Sequence, residues 1–358
     1  MLINELFGHA ELCLPAPRPE GADVRDFLQA KFASYDALLT APVAAPTDRV
    51  FDDVRALRPQ IDSLAARILL SLDAHLSGKL DLSYQTMKGA LEDVRSFLAV
   101  TNNQDVNRID PIFRARSIDT PYETQDDELL HIPFDKRHRV GSQRYSIPGM
   151  PMLYLGSTSF GCWTELGRPP LDRLVANCWK PISPLNVLNL SYTPSNLSLF
   201  PAPTAGSNPA LHQFLVAHAV IWPLVAALSI RTPRSERGFP FRVDYIVPQL
   251  LLRWVVEELG CDALRYFSTH LHAETDAQIS ANWVFPVKSN AKTGHCAALL
   301  GLFSRSAPLS WTLAHVSGVN QVGPVATGRI MVTDRVVANY PATAFATYDM
   351  ALQALPRS

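Results

Sequence analysis

The spacing of apolar residues changes near residue 104, and this change constrains the fold more than any other feature of the sequence. Between residues 22 and 100, apolar side chains recur at helical spacing over 23–39, 50–76 and 84–100. From about residue 109 they form short β-type runs, separated by turns rich in proline, glycine, serine and asparagine. The pattern predicts an α+β protein that begins with an all-helical domain.

The second part of the chain contains both strand and helix signals. We expect strands at 108–113, 152–155, 263–267 and 283–287, and helices at about 209–229 and 247–259. Prolines cluster in an ordered excursion over 181–208. The sequence therefore predicts three blocks: a helical N-terminal domain over 1–104 with a regulatory or oligomerisation role, a catalytic domain over 105–290 with a Pro-rich insertion at 181–208, and a C-terminal extension over 291–358 packed on the catalytic domain.

Composition narrows the class of function. The formal net charge is -1, so the chain as a whole does not have the excess of basic residues that is typical of nucleic-acid-binding proteins. The five cysteines include no Cys-x-x-Cys pair, which favours reduced thiols in the cytoplasm over disulfides or a zinc ribbon. The most apolar window, 211–230, is interrupted by histidines and a proline, so we expect a buried helix, no membrane span and a cytoplasmic protein.

The densest cluster of reactive side chains lies between residues 113 and 167. Arginines close to tyrosines and a Pro-Gly turn suit a phosphorylated ligand with a ring, because guanidinium groups bind phosphate bidentately and aromatic faces accept a stacked ring. A carboxylate on the helix after strand 152–155 could stabilise the cation that forms when an N-glycosidic bond breaks. The residues concerned are Phe113, Arg114, Arg116, Arg144, Tyr145, Ser146, Tyr154, Ser157 and Glu165.

The order of these residues resembles the RES domain family, named for its Arg, Glu and Ser. The family pattern begins with an aromatic-Arg pair, here Phe113-Arg114, and continues with an Arg-aromatic pair, here Arg144-Tyr145. A Leu-Tyr strand, a serine and a helical glutamate follow, here Leu153-Tyr154, Ser157 and Glu165. Further on, Asp262 to Ser268 and Asn282 match the later strand and asparagine, although Ala263 stands where the family has glycine. The resemblance covers about residues 109–290.

The resemblance implies an ADP-ribosyltransferase-like fold and a toxin that consumes NAD, by hydrolysis, by phosphorolysis or by transfer of ADP-ribose to a protein. Glu165, Arg114 and Ser268 would be catalytic, and NAD would be a substrate bound without a metal. The remaining residues would line its site: Arg144, Tyr145, Ser146, Tyr154, Ser157, Arg116 and Asn282. Because uncontrolled cleavage of NAD would poison the producing cell, we expect the activity to be restrained by a neutralising partner, by a self-blocking segment within residues 1–104, or by a requirement for activation through homo-oligomerisation.

Two other functions remain open from the sequence. Ser159 follows a strand and precedes a helix, as the nucleophile of a serine hydrolase would. A non-catalytic module that senses ADP-ribose or another nucleotide would keep the same arginines and an idle Glu165. His270 and His272 could share one strand face, but without a third ligand of recognisable spacing they favour a structural role over a metal site.

Overall fold

The computed structural model describes residues 1–42, 47–102, 110–201, 203, 207–272, 275–316, 330–332 and 337–357. The chain divides into two compact units, each assembled from separate stretches of sequence. Unit 1 comprises Met1–Gln104, Ser142–Tyr145 and Leu188–Gly260. Unit 2 comprises Asp105–Gly141, Ser146–Val187 and Cys261–Ser358. The mixture of helices with a sheet confirms the α+β class, whereas the RES-type detail stays a prediction.

The elements are numbered in chain order. The helices are α1 (Ile3–Gly8), α2 (Val24–Thr40), α3 (Arg49–Ala56), α4 (Arg58–Leu76), α5 (Leu80–Asp93), α6 (Arg95–Asn102), α7 (Ser159–Glu165), α8 (Pro194–Leu197), α9 (Pro209–Val220), α10 (Trp222–Leu228), α11 (Ile246–Trp254), α12 (Ala277–Ser280), α13 (Ala297–Leu300), α14 (Trp311–Val316) and α15 (Ala344–Ala354). The strands are β1 (Ile112–Ser117), β2 (Met152–Gly156), β3 (Leu174–Pro181), β4 (Val187–Leu190), β5 (Ala263–Phe267), β6 (Ala281–Pro286), β7 (Phe303–Arg305), β8 (Leu309–Ser310), β9 (Ile330–Val332) and β10 (Val337–Asn339).

Unit 1 is helical, and its helices begin where the sequence supplies a capping side chain. The Asp23 carboxylate accepts hydrogen bonds from two backbone N–H groups at the start of α2, and Asp48 does the same for one N–H of α3. The stripe over 50–76 forms two helices rather than one, because the chain leaves helical geometry at Leu57 and Pro59 lies in the first turn of α4. The stripe over 84–100 also breaks, at Val94, into α5 and α6.

The apolar window that the sequence placed in one helix forms α9 and α10, which meet at Ile221 just before Pro223. In the described residues no single helix is long and apolar enough to cross a membrane, and these two reach that criterion only together, across a 56° bend. From Phe214 onward both helices are almost wholly buried. Their apolar surface therefore belongs to the core of unit 1.

His218 on α9 makes part of this core sensitive to pH. The residue is 4% exposed and its Nδ1 donates to the Phe214 carbonyl at 2.8 Å, while its Nε2 has no hydrogen-bond partner among the described residues. Burial lowers the pKa of His218 to about 4, opposed only in part by that hydrogen bond. The folded protein thus keeps this histidine neutral at pH values where the unfolded chain binds a proton.

We predict that the free energy of unfolding falls as pH decreases from about 6.5 to about 4, by up to about 1.4 kcal/mol per pH unit from this one group. The direction follows because the unfolded state then binds more protons than the native state. His218→Gln should remove that part of the slope in urea titrations at several pH values. Replacing the exposed His138 with Gln is the matched control and should keep the wild-type slope. Equal slopes in wild type and His218→Gln would contradict the prediction.

Unit 2 is built on an antiparallel sheet in the order β5-β6-β2-β1-β3-β7, with β8 also paired to β3. The predicted strand over 263–267 coincides with β5, and that over 152–155 is one residue shorter than β2. The predicted strand over 283–287 is observed as β6. The predicted strand over 108–113 corresponds to β1, which begins later, at Ile112, and residues 108 and 109 lie outside the described part of the chain. The C-terminal region contributes β7, β8 and α15 to this unit.

Strand β2 ends at Gly156, where the sheet meets α7 closely. A Cβ atom at this position would lie 2.7 Å from the Cys162 Sγ atom of α7 and 3.3 Å from the Thr158 carbonyl oxygen. Glycine therefore permits the contact that any other residue would prevent. Cys162 packs there with Phe113 and Ala115 of β1, so the helix is anchored on the central strands.

Gly156→Ala should destabilise the protein by about 1–3 kcal/mol, because the added methyl group must displace buried atoms. Gly141→Ala is a matched control, since a Cβ there would meet nothing within 4 Å and its φ is not positive. It should change the free energy of unfolding by less than about 0.5 kcal/mol. Equal effects of the two substitutions in chemical denaturation would contradict the close approach at Gly156.

Candidate active site

Glu165 is the last residue of α7, and the ends of this short helix are well defined. The Thr158 hydroxyl accepts a hydrogen bond from the Gly161 N–H at 3.0 Å and caps the first turn. After Glu165 the chain turns at Gly167, whose φ of +81° is readily available to glycine. Its N–H donates to the Thr164 carbonyl at 3.0 Å. Because both ends of the helix are fixed, the position of Glu165 at its last residue is fixed as well.

The Glu165 carboxylate is held by two buried polar side chains. Oε1 accepts a hydrogen bond from the Ser268 hydroxyl and another from the Asn282 amide, the latter at 2.8 Å. Ser268 is 2% and Asn282 is 4% exposed, whereas the Glu165 side chain remains 34% exposed. The carboxylate is therefore anchored through one oxygen by neutral donors and still reaches the surface.

The sheet register explains why these three residues meet. Asn282 lies in β6 opposite Gly156 of β2 on one side and Tyr266 of β5 on the other. Ser268 follows β5 immediately, and its N–H donates to the Ser280 carbonyl at 2.8 Å. The end of β2, where α7 packs, is thus beside the start of β6 and the end of β5. Of the predicted catalytic residues, the structure brings Glu165 and Ser268 together, and it adds the predicted ligand-binding residue Asn282.

His270 also lies beside Glu165, although the sequence favoured a structural role for it over a metal site shared with His272. Its Nε2 is 3.7 Å from Glu165 Oε2, and its backbone N–H donates to the Ser268 hydroxyl at 3.0 Å. The sequence did offer one indication of this position, because His270 follows the predicted catalytic residue Ser268 by only two residues. Among the described residues, no three His, Cys, Asp or Glu side chains are grouped as metal ligands.

Arg114 and Arg116 lie on β1 and bind carbonyl groups. Arg114 donates to the Tyr154 carbonyl at 2.8 Å and to the Leu130 carbonyl at 3.2 Å, and Arg116 donates to the same Leu130 carbonyl at 3.1 Å. Burial lowers the pKa of Arg114, and the charge of Arg116 adds to this effect. Burial likewise lowers the pKa of Arg116, partly offset by Glu128 and Asp127.

Strand alternation separates these arginines from Asn282. Phe113 pairs with Gly156, and Gly156 with Asn282, so these residues share one face of the sheet. Arg114 and Arg116 are offset from Phe113 by odd numbers and leave β1 on the other face. In the described part of the chain, the Arg114 side chain donates hydrogen bonds to these carbonyls and not to Glu165.

The predicted ligand-binding pair Arg144-Tyr145 belongs to unit 1. Arg144 is 9% exposed and donates to the carbonyls of Leu228 and Ile230 at 3.0 and 2.8 Å. Its guanidinium carbon lies 4.9 Å from the centre of the Tyr245 ring. Tyr145 is 1% exposed, and burial raises its pKa. Within unit 1, these contacts give Arg144 a packing role, and Tyr145, beside it in the sequence, is buried.

Three further predicted ligand-binding residues, Ser146, Tyr154 and Ser157, lie in unit 2. Tyr154 lies on β2 and is partly buried, and its carbonyl is the acceptor for Arg114. Ser157 follows β2, is also partly buried and extends the β2–β6 pairing through its N–H to the Ala281 carbonyl at 2.8 Å. Ser146 is 2% exposed and its hydroxyl is 3.5 Å from the Gly141 carbonyl.

Ser159, the alternative nucleophile on α7, is not accessible, and neither is the thiol of Cys162 on the same helix. Ser159 is 0% exposed, and its backbone N–H donates to the Asp349 carboxylate at 3.0 Å. Cys162 is buried, and its thiol donates to the Phe113 carbonyl at 3.2 Å. Burial, with a further contribution from Asp349, raises the pKa of Cys162 to about 12 and disfavours the thiolate. A serine hydrolase that uses Ser159 is therefore disfavoured by the fold.

Asp349 on α15 connects the C-terminal region to the start of α7. Besides the Ser159 N–H, its carboxylate accepts a hydrogen bond from the Tyr340 hydroxyl at 2.7 Å. Asp349 is 6% and Tyr340 is 4% exposed. Burial raises the pKa of Tyr340, and the nearby Asp349 charge reinforces this. The far end of the chain thus holds the helix that carries Glu165, a contact that no local pattern in the sequence indicates.

Comparison with curated proteins relates this chain to a toxin-like protein. Over 312 residues it is 30% identical to "Putative toxin YopC" of Bacillus subtilis (strain 168), and the alignment covers 83% of this chain and 68% of YopC. The chain belongs to the YopC family. No family model and no solved structure matches the chain, so the resemblance of this YopC relative to RES proteins stays a prediction.

Asp349→Ala should lower the free energy of unfolding by about 1–3 kcal/mol for each of the two buried donors that lose their acceptor, Ser159 N–H and Tyr340 O–H. Asp349→Asn keeps one acceptor oxygen and should cost less. The exposed Asp126 provides the control, and Asp126→Asn should change stability by less than about 0.5 kcal/mol. A stability of Asp349→Ala equal to wild type in urea denaturation would contradict this role.

Proposed function

We propose that unit 2 binds NAD and cleaves the bond between nicotinamide and ribose. The observation that supports this most is the Glu165 carboxylate, anchored through Oε1 by Ser268 and Asn282 and one-third exposed. A carboxylate held by neutral donors keeps its negative charge for a ligand. That charge is what the departure of nicotinamide requires, since it leaves a ribosyl cation.

In this proposal Glu165 stabilises the developing cation at the anomeric carbon or through a ribose hydroxyl. Ser268 and Asn282 are positioning residues, because they hold the carboxylate in one orientation before the substrate arrives. The bond from the anomeric carbon to the ring nitrogen breaks, and its electron pair stays with nicotinamide. Water, phosphate or a protein side chain forms the new bond to the carbon, and the proton of the nucleophile is released.

The positions of Arg114 and Arg116 limit which part of NAD these two arginines could bind. Arg114 and Arg116 carry positive charge beside a shared carbonyl acceptor, and a phosphate oxygen is a stronger partner for a guanidinium than a carbonyl. We retain them as candidate phosphate ligands. Because they leave β1 on the face opposite Asn282, they would have to bind a part of the substrate distant from the reacting ribose. Arg144 and Tyr145 are buried within unit 1, and we assign them no direct role in binding.

A toxin-like role is consistent with this chemistry, because loss of NAD would stop the metabolism of the affected cell. The relative YopC carries the name of a putative toxin. Such an activity would also endanger the cell that makes it. We therefore propose that the activity is restrained in the cytoplasm, either by a neutralising partner protein or because the chain becomes active only on assembly.

The test is incubation of the purified full chain with NAD, with and without phosphate, while released nicotinamide is measured by chromatography. Wild type should release nicotinamide, and Glu165→Gln should reduce the rate by at least about 100-fold, since the charge of the stabilising group is lost. Ser268→Ala and Asn282→Ala should lower kcat by smaller factors. The co-product separates hydrolysis from phosphorolysis.

Glu123→Gln removes an exposed carboxylate of the same unit and should leave the rate unchanged. Equal release by wild type and Glu165→Gln would contradict the role of Glu165. NAD binding by wild type without any product, unaffected by Glu165→Gln, would instead favour a nucleotide sensor.

A further inference from the structure

The segment after β5 makes a tight turn that places a histidine beside Glu165. Ser268 Oγ donates to Glu165 Oε1 and at the same time accepts a hydrogen bond from the His270 backbone N–H at 3.0 Å. One hydroxyl group therefore connects the carboxylate to the backbone of the turn. The position of His270 relative to Glu165 follows from this shared contact.

The two oxygens of Glu165 have different surroundings. Oε1 is occupied by Ser268 and Asn282, whereas Oε2 lies 3.7 Å from His270 Nε2. This distance exceeds hydrogen-bond length but is within the range of a charge pair. The Glu165 and His270 side chains are each 34% exposed, so solvent or an acceptor molecule can approach both.

A histidine whose ring lies beside an anchored carboxylate is suited to act as a general base. The negative charge of the carboxylate, 3.7 Å from Nε2, stabilises the imidazolium that forms when the ring takes a proton. A neutral ring is also the form compatible with a nearby substrate cation, because an imidazolium would repel the charge that develops on the ribose.

We propose that His270 is a catalytic residue that accepts the proton of the attacking nucleophile. This inference rests on the proposed cleavage of NAD. As water attacks, its oxygen bonds to the anomeric carbon and the bond from that carbon to the nicotinamide nitrogen breaks. The electron pair stays with nicotinamide, and the proton of water passes to the His270 imidazole and then to solvent. No oxidant or metal takes part.

This role predicts a pH dependence with a defined sign. The working form of His270 is neutral, so kcat should fall on the acid side, within the range of about pH 5 to 8 in which histidine titrates. Glu165 on α7 is a titratable neighbour of the ring, and His272 lies two residues away in the same segment. If the imidazolium were the active form, the loss would occur on the alkaline side.

The experiment measures nicotinamide release by wild type, His270→Ala and His270→Gln across pH, with His272→Ala as the matched control. Both His270 variants should lose kcat by about 100-fold, with less than about a threefold change in KM, and should lack the acid limb. Added imidazole should restore part of the kcat of His270→Ala in proportion to its concentration. The exposed His272 should be replaceable without effect.

The outcomes separate the two claims. Active wild type, together with His270 variants that keep the wild-type kcat and pH profile, would overturn the role of His270 and leave the proposed function intact. An alkaline limb, or loss of kcat in both variants without rescue of folded His270→Ala by imidazole, would also overturn it. Absence of release by wild type at every phosphate concentration would overturn both claims. Circular dichroism melting of each variant identifies any that fail to fold.

Discussion

The hydrogen bonds that hold Glu165 Oε1 depend on the rest of unit 2 being in place. Asn282 reaches the carboxylate because β6 lies between β2 and β5, and Ser268 reaches it because β5 ends at that point. If β6 shifted by one residue relative to its neighbours, the Asn282 side chain would move to the other face of the sheet. The hydrogen bonds of the Glu165 carboxylate therefore depend on the register of the central strands.

Two contacts hold α7 in the orientation that this carboxylate requires. Gly156 allows the helix to approach the end of β2, and Asp349 binds the first N–H of the helix from the C-terminal region. The C-terminal elements are therefore part of the architecture that supports the site. Their sequence contains no motif for this, because a buried aspartate far along the chain gives no local sign of its partner.

The sequence predicted well those features that depend on local pattern. Strands β2 and β5 were placed within a residue, because each is a short apolar run between turn residues. The breaks at Leu57 and Val94 were missed, because the apolar stripe continues through them. Glu165, Ser268 and Asn282 were selected through the resemblance to RES proteins, and the structure brings their side chains together.

Other residues could not be placed from sequence, because their partners are set by tertiary packing. Arg144 and Tyr145 precede β2 by a few residues and appeared to belong with it, yet they pack within unit 1. Arg114 adjoins Phe113, and strand alternation then directs it to the opposite face from Asn282. For His270 the spacing to His272 favoured a structural role over a metal site, and it gave no indication that the ring lies beside Glu165.

The most direct test of the central claim is a crystal structure of the Glu165→Gln variant with NAD, since this variant should bind the substrate and not turn it over. Intact NAD should be bound with its nicotinamide ribose against residue 165, beside Ser268 and Asn282. NAD bound elsewhere on the protein, or no NAD bound at millimolar concentration, would contradict the assignment of this carboxylate as the centre of the reaction.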